Sequence, residues 1–237
     1  MSGYGGNAAQ LFARAVLFDF DGVLTTDPSG SHTTVAALAR MTGLDGDRIW
    51  AALQPFNHDL LLGRTTHAAI WPGFCAAIGQ DVPIERLHDA FAATPMDEAM
   101  IALARRLRPH CRLAIVTDNK ADRIAHLARL HSLAELFDVV AVSAECGSDK
   151  SSAPIFEQVL RRLEVPANAA VFIDNSARNL VAPASMGIHT ILFDDTARDL
   201  AALAVQLHDR FALPATDQSC ERFTGAAGPA KSAIRQR

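Results

Sequence analysis

Two aspartates two residues apart, Asp19 and Asp21, close the apolar run Ala15-Val16-Leu17-Phe18, and Gly22 follows them. Val16, Leu17 and Phe18 read as a short buried strand, apolar without alternation as strands of a parallel sheet are. A period of 2 would place both carboxylates on one side if the strand ran on. Gly22 permits a tight turn directly behind them. Like charges this close resist joint ionisation unless a cation or a basic group intervenes. The spacing therefore predicts a metal site or an acid/base pair rather than packing.

Three more polar signals recur along the chain. Thr117-Asp118-Asn119 follow the apolar run 113–116, Asp174-Asn175-Ser176 follow 170–173, and Lys150 precedes a helix that starts near Pro154. Alone, each has a bland reading. A strand-end Asp closes a turn, a Thr caps a helix, and a lone Lys is solvated. Open parallel sheets, however, bind ligands beyond the carboxyl ends of their strands. Converging there, the four signals would gather carboxylates, a hydroxyl and an ammonium around one point. Such a set suits a phosphoryl group whose charge a magnesium ion (Mg2+) neutralises.

The elements that must position these residues follow from periodicity. Strands are expected over 16–18, 113–116, 139–142, 170–173 and 190–193. Helices are expected over 97–107, 120–130, 154–163, 180–186 and 196–208, with Thr196 as an N-cap. The alternation predicts an α/β fold: a Rossmann-like parallel sheet flanked by helices. Between 26 and 94 only helical spacing occurs, in four segments (33–41, 48–62, 66–78, 84–93) punctuated by Gly43, Gly63, Gly79 and Pro83. The expected organisation is a core domain of residues 13–25 and 95–213, an inserted all-helical domain of 26–94, and flexible termini at 1–12 and 214–237.

Composition narrows the partners. With 22 basic against 26 acidic side chains, the net charge of -4 argues against nucleic acid or an anionic membrane as partner. No apolar run approaches the ~20 residues of a membrane span. The first residues lack the basic and apolar regions of a signal peptide. Cys75, Cys111, Cys146 and Cys220 are scattered without a CxxC pair, so reduced thiols in a cytoplasmic protein are expected, and no zinc site. The expected partner is a small phosphorylated metabolite; oligomeric state is left open. His58, His67 and His88 are read as surface or packing residues, Trp50 and Trp71 as core of the insert, and Arg105-Arg106 and Arg161-Arg162 as solvated helix faces.

Taken in order, these residues resemble the haloacid dehalogenase-like (HAD) hydrolase superfamily. Phe18-Asp19-Phe20-Asp21-Gly22-Val23 resembles its first motif, Thr117 its second, Lys150 with Ile155-Phe156 its third, and Phe172-Ile173-Asp174-Asn175-Ser176 its fourth. The resemblance implies Asp19 as nucleophile, forming an aspartyl-phosphate, and Asp21 as general acid and then general base. It implies Thr117, Asp118 and Lys150 as phosphate-binding. It also implies a magnesium site made by Asp19, the Asp21 main-chain carbonyl and the fourth-motif residues Asp174 and Asn175. The helical insert stands where the family carries an alpha-helical cap. A carboxylate at position 21 implies phosphatase chemistry rather than dehalogenation, because an alkoxide needs a proton on leaving and a halide does not. A sugar phosphate is one candidate substrate. A phosphomutase of the same fold and a catalytically weakened phosphate-binding protein are the alternatives.

Three positions depart from the family pattern. Asn175 stands where a second acid is usual, which removes one anionic ligand. Ser151-Ser152-Ala153 replace the usual Pro-containing run after Lys150, and Asp118 stands where Asn is commoner.

Overall fold

The computed structural model describes residues 11–214. Five strands form one parallel sheet: β1 (Ala15–Phe18), β2 (Arg112–Thr117), β3 (Val139–Val142), β4 (Ala170–Asp174) and β5 (His189–Leu192), in the order β3-β2-β1-β4-β5. The chain leaves β1 for both sides of the sheet, so the reversal of strand order falls at β1. That is where such sheets open a crevice for ligand.

Helices follow in chain order. α1 (Gly30–Thr42), α2 (Gly46–Leu53), α3 (Asn57–Leu61), α4 (His67–Ile78) and α5 (Glu85–Ala92) make up the insert. α6 (Glu98–Leu107), α7 (Ala121–Leu130), α8 (Leu133–Leu136), α9 (Ser143–Cys146), α10 (Ala153–Leu163), α11 (Val181–Ser185) and α12 (Leu200–Phe211) accompany the sheet. Alternating side chains of β1 divide the core. Val16 and Phe18 pack in a cluster with Leu103 of α6, Leu127 of α7 and Leu207 of α12. Ala15 and Leu17 pack in another with Ile155, Phe156 and Val159 of α10. Helices thus cover both faces, which explains why every residue of β1 is buried. The insert has its own cluster, built on Leu38, Ile49, Trp71, Phe74, Leu87 and Phe91. Its two connections run side by side, joined by an antiparallel bridge between Thr25 and Met96 and by Thr26 N–H donating to the Pro95 carbonyl at 3.0 Å.

Several local expectations change. The helix expected over 48–62 is broken into α2, a 3-10 turn over Gln54–Phe56, and α3, because Pro55 has no N–H to donate. The last helix starts at Leu200, capped by Asp199 through Ala202 N–H. Thr196 is not its cap, since Asp194 accepts from the N–H groups of Thr196 and Ala197 and holds them in a turn. Trp71 is buried and donates from Nε1 to the Val82 carbonyl at 2.7 Å, but Trp50 is 37% exposed and lies edge-on against His32. His67 is buried where α4 meets α7, with Nδ1 2.8 Å from Asp122. Cys75, Cys111 and Cys146 are free thiols. Cys220 and the expectations for 1–10 and 215–237 lie outside the described residues. Among the described residues no helix is long and apolar enough to cross a membrane.

Candidate active site

The first motif folds as a strand stopped by a turn. Asp19 N–H still donates to the Ile173 carbonyl of β4, at 2.9 Å, and its carboxylate Oδ1 accepts from Phe20 N–H at 2.7 Å. The chain then winds through Phe20–Leu24 with Gly22 at φ 85. A side chain at Gly22 would be strained there and would also collide with the amide of Asn175. Glycine therefore lets the first and fourth motifs touch.

Lys150 is the electrostatic centre. Its Nζ lies 2.7 Å from Asp19 and 2.8 Å from Asp174, and its backbone N–H donates to Asp118 at 2.9 Å. Burial works to lower the ammonium's pKa, but Asp19, Asp174 and Asp118 outweigh it and push the value up. Asp19 is nevertheless raised to about 7. Burial raises it most, Lys150 pulls it back, and Asp174 and Asp21 raise it again. One cation shared among several acids stays charged without fully compensating any one of them. Asp118 is raised as well, by burial first.

Asp19, Asp21, Thr117, Asp118, Lys150 and Asn175 line one cleft of about 300 Å³ at the carboxyl end of the sheet. Asp174 does not line it. It is fully buried, and both its oxygens are taken, by Lys150 Nζ, Ser176 N–H and the Asn179 amide. The fourth motif thus presents Asn175 to the cleft and uses Asp174 to hold Lys150.

Four further residues belong to the site; Asn119 was read only as part of the second polar signal, and the other three were not singled out from the sequence. Arg123, buried in α7, grips Asp21 with two nitrogens, at 2.8 and 2.9 Å. Asn119 donates to the same carboxylate at 2.8 Å. Asp195, in the loop after β5, accepts from Asn175 Nδ2 at 2.8 Å. Lys120 donates to Ser31 of α1 at 2.7 Å, and burial and Arg123 lower its ammonium to about 8 against the pull of Asp21 and Asp122. Their only sequence signal was proximity to the second motif or to the end of the fifth strand.

A buried carboxylate, a second carboxylate two residues on, a buried lysine and a hydroxyl thus stand together at the switch point of a parallel sheet. Residues 13–187 match the family of haloacid dehalogenase-like hydrolases, and the chain belongs to it. The rat bifunctional epoxide hydrolase 2 is 34% identical over 218 residues, an alignment that takes in 80% of this chain and 38% of that protein. Protein CbbY of Cereibacter sphaeroides is 32% identical over 148 residues, 55% of this chain and 64% of CbbY. The chain thus spans less than two thirds of either relative. Among solved structures, a HAD family enzyme of Bacteroides thetaiotaomicron in complex with magnesium and inorganic phosphate superposes with a TM-score of 0.66 at 16% identity, over 81% of this chain and 98% of that one. An L-2-haloacid dehalogenase of Xanthobacter autotrophicus with chloropropionic acid covalently bound gives 0.57 at 16% identity, over 81% and 83%. At such identities the likeness is one of fold.

Proposed function

We propose that the protein is a magnesium-dependent phosphatase of small phosphomonoesters. The observation that carries this reading is the pair Asp19 and Asp21 on one cleft, with Asp21 two residues beyond the nucleophile position. Asp19 attacks phosphorus and the bond to the leaving oxygen breaks. Asp21 gives its proton to that oxygen, and then takes one from the water that cleaves the aspartyl-phosphate. The Thr117 hydroxyl and the Lys150 ammonium bind the phosphoryl oxygens. A halide would need no proton donor, which is why the dehalogenase likeness is taken as fold alone.

The donor set fits magnesium. Asn175 donates from Nδ2 to Asp195, which leaves its side-chain oxygen free, and it lines the same cleft as Asp19. Asp19, the Asp21 main-chain carbonyl and Asn175 would hold the ion, all hard oxygen donors. Bound there, magnesium would offset the charge on Asp19 and on the transferring phosphoryl oxygens. Asp21 faces Arg123 in this arrangement, so delivering a proton requires that pair to part. Arg123 also donates to Thr94 at 3.2 Å and packs so closely against Gly30 that any side chain there would collide with it, which ties this parting to the insert.

The test is phosphate release from p-nitrophenyl phosphate and a panel of phosphomonoesters, with and without magnesium. Magnesium-dependent release is expected, reduced at least a thousandfold, on the order of a lost nucleophile, in Asp19→Asn. Release no greater than that of the variant for every compound would sink the reading.

A further inference from the structure

A second, smaller cavity of about 40 Å³ adjoins the catalytic cleft, sharing Gly30, Ser31, Asn57 and Lys120 with it. We propose that this cavity is the leaving-group subsite and that it takes a compact aliphatic chain of two or three carbons rather than a sugar ring. The proposal rests on the phosphatase reading.

Position comes first. Arg123 lines the cavity and holds both oxygens of Asp21, so the cavity lies on the side of the site where the proton must be delivered. An ester with its phosphoryl group at Asp19 would extend its alcohol past Asp21 toward this space. Chemistry comes second. The wall surface is mostly apolar, from Val35, Trp50, Leu53, Leu60 and Phe91, with Thr34, Gln54 and His67 set among them, while Lys120 and Ser31, joined at 2.7 Å, stand where cavity and cleft meet. Most of the several hydroxyls of a sugar would face that apolar surface, each at a substantial penalty. Methylene groups gain there. Size comes third. A water needs roughly 10–15 Å³ by this measure, so the cavity equals a few waters, enough for a short chain and too little for a six-membered ring.

The experiment measures kcat/KM with magnesium for methyl, ethyl and propyl phosphate, glucose 6-phosphate and p-nitrophenyl phosphate. A gain of about fourfold per added methylene is expected up to propyl, with glucose 6-phosphate at least roughly tenfold below propyl. Leu53→Phe, which fills the cavity, should bring the propyl-to-methyl ratio close to one. Leu53→Ala, safer for folding, should extend the gain to butyl phosphate. A flat alkyl series, or glucose 6-phosphate equal to propyl phosphate, overturns the subsite while hydrolysis of p-nitrophenyl phosphate keeps the phosphatase reading. No turnover of any ester, p-nitrophenyl phosphate included, removes both.

Discussion

An asparagine amide is the same shape either way round, and only its hydrogen bonds decide which end faces a ligand. At Asn175 that decision belongs to Asp195, which accepts from Nδ2 and so leaves the side-chain oxygen as the end free for a ligand in the cleft. Asp195 also brings a carboxylate to within one side chain of a site short of an anionic ligand. Removing it should let Asn175 flip or wander. Asp195→Ala is expected to weaken magnesium binding about tenfold, the usual scale for the loss of a group that orients a ligand. Titration calorimetry on the protein without substrate reads this directly. Asn175→Asp should act in the opposite direction, since a charged oxygen replaces a neutral one. Unchanged affinity in Asp195→Ala would mean that Asn175 is not a ligand or needs no support.

The segment from the end of β2 into α7 concentrates the site's chemistry: Thr117, Asp118, Asn119, Lys120 and Arg123 fall within seven consecutive residues. Lys120 pays for its place. Its ammonium falls to about 8 in the fold, chiefly through burial and then through Arg123, against roughly 10.4 in an unfolded chain. A depressed lysine binds fewer protons folded than unfolded between those values, so the fold's stability rises with pH across that window and the cost is fully present below it. Lys120→Met should therefore stabilise the protein at pH 7 by about 2 kcal/mol, after allowance for partial solvent screening. The gain should shrink between pH 8 and 10.5, as urea unfolding at several pH values would show. A gain that stays constant across that window would refute the assignment.

This segment also shows what the sequence could reveal. Thr117 and Asp118 were legible because an apolar strand ends beneath them, and the same logic found Asp19, Asp21 and Asp174. Arg123 was not legible. Written as Asp122-Arg123 near a helix start, it looks like an ordinary solvated pair, and only the packing of α7 beneath the insert buries it. Trp50 misled in the opposite sense: an aromatic at helical spacing reads as core, yet α2 turns it to the rim of the cavity. Asp174 was expected to be a metal ligand, and no local pattern could say that its oxygens would be spent on Lys150, Ser176 and Asn179.

At the scale of the molecule, the bond from Arg123 to Thr94 is one of several polar contacts that join insert and sheet among the described residues. Lys120 meets Ser31, His67 meets Asp122, and Ser143 Oγ donates to the Leu61 carbonyl at 2.7 Å while accepting from Asn119 N–H at 2.9 Å. The last of these runs from the end of α3 through Ser143 to Asn119, whose side chain holds Asp21. Beside it Gly63, at φ 68, packs so tightly against the Ala144 carbonyl that a methyl group would collide with backbone. Gly63→Ala must lift this loop, and lifting it loosens the Leu61–Ser143 contact and with it the seating of Asn119. Gly43 supplies the control: its φ is 71, but a methyl group there meets nothing within 4 Å. Both substitutions should lose about 1–2 kcal/mol to left-handed backbone strain, and Gly63→Ala should lower Tm further because its methyl group also meets backbone. Only Gly63→Ala should also lose kcat/KM, by about tenfold, the scale of a misplaced catalytic group. If the two variants keep equal turnover, the close approach of insert and sheet at Gly63 serves stability alone, and the alignment of Asp21 depends on Arg123 without help from the Ser143 relay.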